Sequence, residues 1–278
     1  MLGAAVIVFR ETLEASLIIG IIAAVTRMLP TRNYSIAGGI MAGMLGALMV
    51  AALTAHIAEM AEGVGQELFS AAILGLATLM LAWHNIWMTR HGLQLSRAAK
   101  QLGQNVVAGK QAMSALCIVV ALAILREGSE TALFLYGLIS AGAESLVTVA
   151  SGGALGLVLG VAAGYGLYAG FVRIPVKYFF SATSVLILLL AAAMASQMAR
   201  FLVQADLLPA LIDPLWDTAW LLDNASLAGR VMHALAGYEA RPSGMQAVFY
   251  LAVIVLIGTG MRMVRVHSLH SSAAHVSR

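Results

Sequence analysis

Cysteine, proline and charge are all scarce in this sequence. Its 278 residues include one Cys and five Pro, which excludes a disulfide framework and a proline-rich scaffold. Cys117 sits in an apolar run and reads as a small packing residue. Asp, Glu, Lys and Arg together make up 10% of the chain, against about 25% in an ordinary soluble domain. A soluble globular fold, a disordered chain and collagen are excluded with them. What remains is apolar: 61% of residues are hydrophobic and the mean hydropathy is +0.90. Since a bilayer crossing takes about 20 apolar residues, the length holds about seven crossings with modest connections and no large soluble domain.

Charge-poor runs at 2–28, 35–56, 68–88, 111–141, 146–171, 178–200 and 244–262 predict an all-α membrane protein with seven transmembrane helices. A membrane barrel would show shorter, alternating segments. The first run lacks the basic start of a signal peptide and is interrupted by charge at 10–14, so it is expected to be retained as a helix. Lys and Arg set the orientation. Arg27, Arg32, Arg90, Arg97, Lys100, Lys110, Arg173, Lys177, Arg262, Arg265 and Arg278 fall in connections on one side, read as cytoplasmic. The N-terminus is then outside and the C-terminus inside. Nine acids (Glu59, Glu62, Glu67, Glu144, Asp206, Asp213, Asp217, Asp223 and Glu239) map to the opposite face, where they would concentrate cations.

The chain repeats itself. FRETLEASLIIGIIAA at 9–24 overlays LREGSETALFLYGLIS at 125–140, an offset of 116. Each copy is followed by a glycine-rich helix, with Gly39, Gly43 and Gly46 in one and Gly152, Gly156, Gly160 and Gly164 in the other. Fourfold spacing puts small residues on one helix face, where backbones approach closely. Three helices per copy reverse the second copy in the membrane, the inverted architecture of many transporters. The expected organisation is a first three-helix repeat at 1–90, a basic cytoplasmic connection at 91–110, and a second repeat at 111–200. A non-cytoplasmic loop at 201–243, a seventh helix at 244–262 and a cytoplasmic tail at 263–278 complete it.

The repeated segment carries the chemistry. Glu11 and Glu14 share a helix face, as do Glu127 and Glu130, and Arg10 and Arg126 can each reach the later Glu of their own helix. Each charge near the midplane costs about 2.5–3.5 kcal/mol. Two ion pairs holding helices together is the simpler reading. A buried ion pair is often replaceable by apolar residues, however, and pairing leaves four carboxylates against two guanidiniums, a formal charge of −2. Carboxylates are hard oxygen ligands, suited to ions such as Mg, Ca, Mn or ferric iron. Glu11, Glu14, Glu127 and Glu130 are therefore the expected metal ligands, with Arg10 and Arg126 balancing their charge.

The R-E-x-L-E of Arg10–Glu14 and the R-E-G-x-E of Arg126–Glu130 resemble the oxidase-dependent iron permease family, which includes fungal high-affinity permeases and bacterial ferrous-iron-uptake permeases. GQELF at 65–69 and the LWDTAWLL…GY-ARPS-Q region at 215–246 resemble the bacterial branch. The resemblance covers nearly the whole chain. It departs at Thr12, where the motif has Gly, and at Ser129, where it has Leu; neither removes a carboxylate. The resemblance implies a non-enzymatic permease of a bacterial inner membrane that imports iron. The ion is expected to be ferric, supplied by an oxidase or a periplasmic iron-binding protein, and iron is the substrate rather than a permanently bound cofactor.

Secondary candidates are Glu59, Glu62 and Glu67 as an outer gateway, and His84, Gln197 and Ser129 as auxiliary groups. His84 is expected near the cytoplasmic end of the third helix, on an exit path. Trp216 and Trp220, four apart, suggest a short helix at the membrane surface. His267, His270 and His275 read as a solvated tail, and the fifteen Met, scattered without pairs, as packing residues. Three other readings compete: a transporter for another hard divalent cation such as manganese, a non-transporting membrane subunit, and an intramembrane enzyme. A di-iron enzyme would carry Glu-x-x-His pairs, whereas the repeat supplies Glu-x-x-Glu.

Overall fold

The computed structural model describes residues 1–61, 66–140, 145–170 and 176–276. Side chains are described there except at 57–61, 66, 88–93, 95, 96, 140, 176–181, 227, 230, 234, 235 and 264–276. Most of the described residues are helical, and none of them forms a strand. In chain order the helices are α1 (Leu2–Val25), α2 (Arg32–Ala61), α3 (Gln66–Val107), α4 (Ser114–Ser140), α5 (Leu146–Tyr168), α6 (Val176–Gln204), the short α7 (Leu227–Ala236) and α8 (Gly244–Val276).

Among the described residues, five segments are long and apolar enough to cross a membrane: Arg32–His56, Glu67–Trp87, Leu146–Tyr168, Ala182–Gln204 and Gly244–Met263. The other two long helices, α1 and α4, each carry an Arg and two Glu of the repeated motif in their middle. The helix faces invert the pattern of a soluble protein. In α5 the buried residues are Val149 and five glycines, while Leu157, Val158 and Val161 are exposed. Small residues inside and large apolar residues outside suit helices that pack by close backbone approach in lipid.

The two glycine helices make matching contacts. Carbon built onto Gly39 and Gly43 would lie 2.6 Å from the carbonyl oxygens of Cys117 and Ala121. On Gly152 and Gly156 it would lie 2.2 and 2.4 Å from the carbonyls of Met1 and Ala5. Cys117 and Ala121 stand 116 positions after Met1 and Ala5, the offset of the motif itself. Residue numbers rise together in both sets, so α2 runs parallel to α4 and α1 parallel to α5. The next contact exchanges sizes between the pairs: Gly160 faces the Thr12 side chain, while Gly128 faces Ala47. Thr12 is therefore accommodated by a glycine across the interface.

α1, α3 and α4 pack against one another at the centre, and α6 and α8 close the far side of α3. One apolar cluster joins Ile7, Leu74, Leu81, Phe134, Ile187 and Ile257. A second joins Ile22, Ile36, Ala99, Val106, Leu116 and Val120. Along α1, α3 and α4 the charged motifs lie between these two clusters.

Three segments differ from the expected boundaries. α3 continues past 88 through Val107, because residues 94–107 contain Leu, Gln, Ala and Lys, which favour helix, and no Pro. It ends before Gly109, which has φ +70°. α8 continues past 262 to Val276. No helix forms at Trp216 and Trp220, because the backbone there is bonded elsewhere. Leu215 N–H donates to Pro242 O and Thr218 N–H to Ala240 O, and Asp217 accepts from Ala219 N–H. The helix of this loop lies later, at α7, between a Ser226 cap and Gly237 at φ +65°. α8 begins in a capping box: Gln246 N–H donates to Ser243 Oγ, and Ser243 N–H to Gln246 Oε1.

Candidate metal centre

Helix geometry places Arg10, Glu11 and Glu14 on the inner face of α1, and Arg126, Glu127 and Glu130 on that of α4. Arg10 is 1% exposed and lies 3.2 Å from Glu11 Oε1 and 2.9 Å from Glu14 Oε1. Arg126 lies 3.4 Å from Glu127 Oε1 and 3.2 Å from Glu130 Oε1. Its guanidinium also stacks over Trp87, 4.7 Å from the ring centroid, a cation–π arrangement. The two arginines differ in setting. Arg10 is sealed inside, whereas the Arg126 side chain is 32% exposed on a cavity of about 560 Å³. Leu79, Met80, Trp83, His84, Trp87 and Glu130 line the rest of that cavity.

His84 joins the two motifs. Its Nδ1 contacts Glu130 Oε2, and its Nε2 lies 3.7 Å from Glu14 Oε2 and 4.0 Å from Glu11 Oε2. One ligand atom from each of Glu11, His84, Glu127 and Glu130 lies within 4.8 Å of the others. Several polar atoms here are buried without a hydrogen-bond partner: Glu11 Oε2, Glu14 Oε2, Glu127 Oε2 and His84 Nε2. Buried polar groups are nearly always paired, so this convergence of unpaired acceptors is the arrangement a cation would complete. The donor set of carboxylate oxygens and one imidazole nitrogen suits a first-row transition ion.

Of the four glutamates expected from the sequence, Glu11, Glu127 and Glu130 fall in this group, and Glu14 lies beside it, 3.7 Å from His84 Nε2. His84 converges with Glu11, Glu127 and Glu130. Setting the end of α3 at 88 hid its place; with α3 running to 107, His84 falls well inside the helix. Ser129 donates its hydroxyl to Leu125 O at 2.5 Å, within its own helix. Gln197 is buried in α6 with Oε1 unpartnered. Of the outer gateway, Glu67 is exposed in the first turn of α3; the Glu59 side chain and Glu62 lie outside the described residues, as do the side chains of His267, His270 and His275. Several loop acids serve the loop itself. Asp217 pairs with Arg241 at 3.0 Å, which holds its carboxyl below the usual range. Glu239 accepts from Asn224.

Fold and site together define a polytopic membrane protein built around a buried cluster of carboxylates and one imidazole. Residues 1–270 match the iron permease FTR1 family, and the chain belongs to that family. It is 31% identical over 261 residues to the ferrous iron permease EfeU of Escherichia coli O157:H7, covering 89% of this chain and 91% of the relative. To the ferrous iron permease EfeU of Yersinia pestis it is 28% identical over 262 residues, covering 90% and 89%. No solved structure matches. The chain is an integral membrane protein of a transporter family, and its apolar helices and permease relatives fit a bacterial inner membrane.

Proposed function

We propose that this protein imports iron across a bacterial inner membrane by alternating access to the cluster of Glu11, Glu14, Glu127 and Glu130. The observation that carries this reading is the convergence of carboxylates from two copies of one motif, with oxygens buried and unpaired. The ion leaves the cavity beside Arg126 and Glu130, exchanges its water shell for carboxylate oxygens, and is released on the other side when one repeat moves against the other. Arg10 and Arg126 limit the repulsion of the empty site. Seven spanning helices in two inverted three-helix repeats, N-terminus outside, are supported by the parallel α1–α5 and α2–α4 pairs and by contacts that repeat at the motif's own offset.

Ferric iron delivered by a periplasmic oxidase or iron-binding partner is the reading the family resemblance favours. Ferrous iron is the second reading, favoured by the names of the relatives and by the imidazole among the oxygens, a softer ligand than carboxylate. Uptake of ferric, ferrous and manganous ions by the purified protein in liposomes, with and without a pH gradient, tests the proposal. Accumulation of iron above protein-free liposomes is expected; none in either oxidation state would overturn it.

A further inference from the structure

We propose that His84 ligates the metal through Nε2, and that Glu130 orients His84 instead of binding the ion. This rests on the carboxylate reading above and divides its four glutamates into three ligands and one positioning residue. Glu130 is in contact at both oxygens: Oε1 accepts from Arg126 Nε at 3.2 Å, and Oε2 touches His84 Nδ1, a contact outside hydrogen-bond geometry. A carboxylate oxygen accepts, so Nδ1 carries the proton, and in the neutral ring Nε2 then presents its lone pair. That nitrogen is buried, unpartnered, and aimed at Glu14 Oε2 and Glu11 Oε2, at 3.7 and 4.0 Å.

Those separations suit an ion better than a hydrogen bond. A metal about 2.1 Å from each ligand atom sets cis ligands about 3.0 Å apart and trans ligands about 4.2 Å apart. Both gaps fall within that span, and both exceed hydrogen-bond length. Glu127 Oε2, also unpartnered, supplies the remaining carboxylate of the converging group. A histidine that donates one nitrogen to a carboxylate while binding metal through the other is a recurring device for fixing the ring and raising its basicity. The chemistry names a substrate class. Calcium and magnesium take oxygen ligands, while imidazole suits borderline transition ions, so His84 is the group that selects ferrous ions against calcium and magnesium.

The test uses the full-length purified protein with Mn2+ as the probe. Pulsed electron paramagnetic resonance of bound Mn2+ should show 14N modulation from a coordinated imidazole, absent in H84Q. H84Q should bind Mn2+ more weakly, by at least the roughly 10–100-fold typical of losing a group that merely supports a ligand. In liposomes, Ca2+ and Mg2+ should inhibit iron uptake by H84Q and leave the wild type untouched. E130Q, whose amide oxygen still accepts from Nδ1, should keep the 14N signal; H84N serves if H84Q does not fold. A wild-type spectrum without nitrogen, or an H84Q protein with wild-type spectrum and selectivity, overturns the inference. E11Q, E14Q and E127Q separate the two readings. Wild-type Mn2+ binding by all three overturns the carboxylate site itself; loss of binding in them with no nitrogen in the wild type overturns the role of His84 alone.

Discussion

The two arginines occupy equivalent places in the motif and unequal places in the molecule. Arg10 is 1% exposed between Glu11 and Glu14, while Arg126 opens onto a cavity and rests on Trp87. Removing one partner of a buried pair leaves an uncompensated charge, at about 3–5 kcal/mol. R10A should therefore lower thermal stability in detergent markedly, and R126A, with water at hand, by clearly less; equal losses would contradict the difference in setting. At the surface, Arg241 and the Ala219 N–H hold the Asp217 carboxyl below its usual range. A group with a depressed folded-state pKa contributes above its unfolded value, about 3.9, and loses that contribution as pH falls through the lower one. The pair is exposed and its contribution small. Fluorescence of Trp216 and Trp220 should hence change on acidification below about pH 4 in the wild type and change less in D217N. The glutamates were legible as residues because charge in an apolar run has so few explanations. His84 was legible only as an auxiliary group, since a lone histidine carries no spacing signal and its depth depends on where α3 ends.

At the scale of helices, the repeat is written in contacts as well as in letters. Gly39 and Gly43 meet the backbone of α4 as Gly152 and Gly156 meet that of α1, and no side chain fits at those carbonyls. The third contact shows how the copies diverged: Thr12 opposite Gly160, Gly128 opposite Ala47. Each pair sets a glycine against a larger residue, with the larger one on α1 in one pair and on α2 in the other. G128T alone should overpack the α2–α4 interface and destabilise by about 1–3 kcal/mol. Adding A47G recreates the Thr–Gly pairing of α1 and α5 and should recover much of it, with a coupling of about 0.5–3 kcal/mol, read from melting temperatures of the two single variants and the double. Additive losses would contradict the equivalence. The glycine periodicity announced a close-packed face; its partner helix could not be read, because a stripe of small residues fits any backbone. The loop before α8 shows the opposite limit. Trp216 and Trp220 have helical spacing, yet hydrogen bonds from Leu215 and Thr218 to residues 240–242 decide its form, and such long-range pairing leaves no local trace. The Ser243–Gln246 capping box is local and was present in the letters; S243A should cost about 1 kcal/mol, measured by thermal melting.

For the whole molecule, the decisive feature is that two apolar clusters seal a charged layer between them. Four carboxylates, two guanidiniums and an imidazole are held where insertion of each charge is costly, and several of their atoms face one another unpaired. Such a layer serves an ion in passage better than it serves stability. Composition alone established a membrane protein, and the doubled motif pointed to iron through the family it resembles. The cavity beside α4, and the unequal burial of the two motifs, belong to the three-dimensional arrangement. The central claim is that iron passes through the glutamates of both copies. Iron uptake into liposomes by wild type, E14A and E127A, with equal amounts of inserted protein, tests it most directly. Uptake should fall in each variant by ~100-fold or more, beyond the roughly 10–100-fold that a supporting residue commands. Wild-type uptake by either variant would contradict the account.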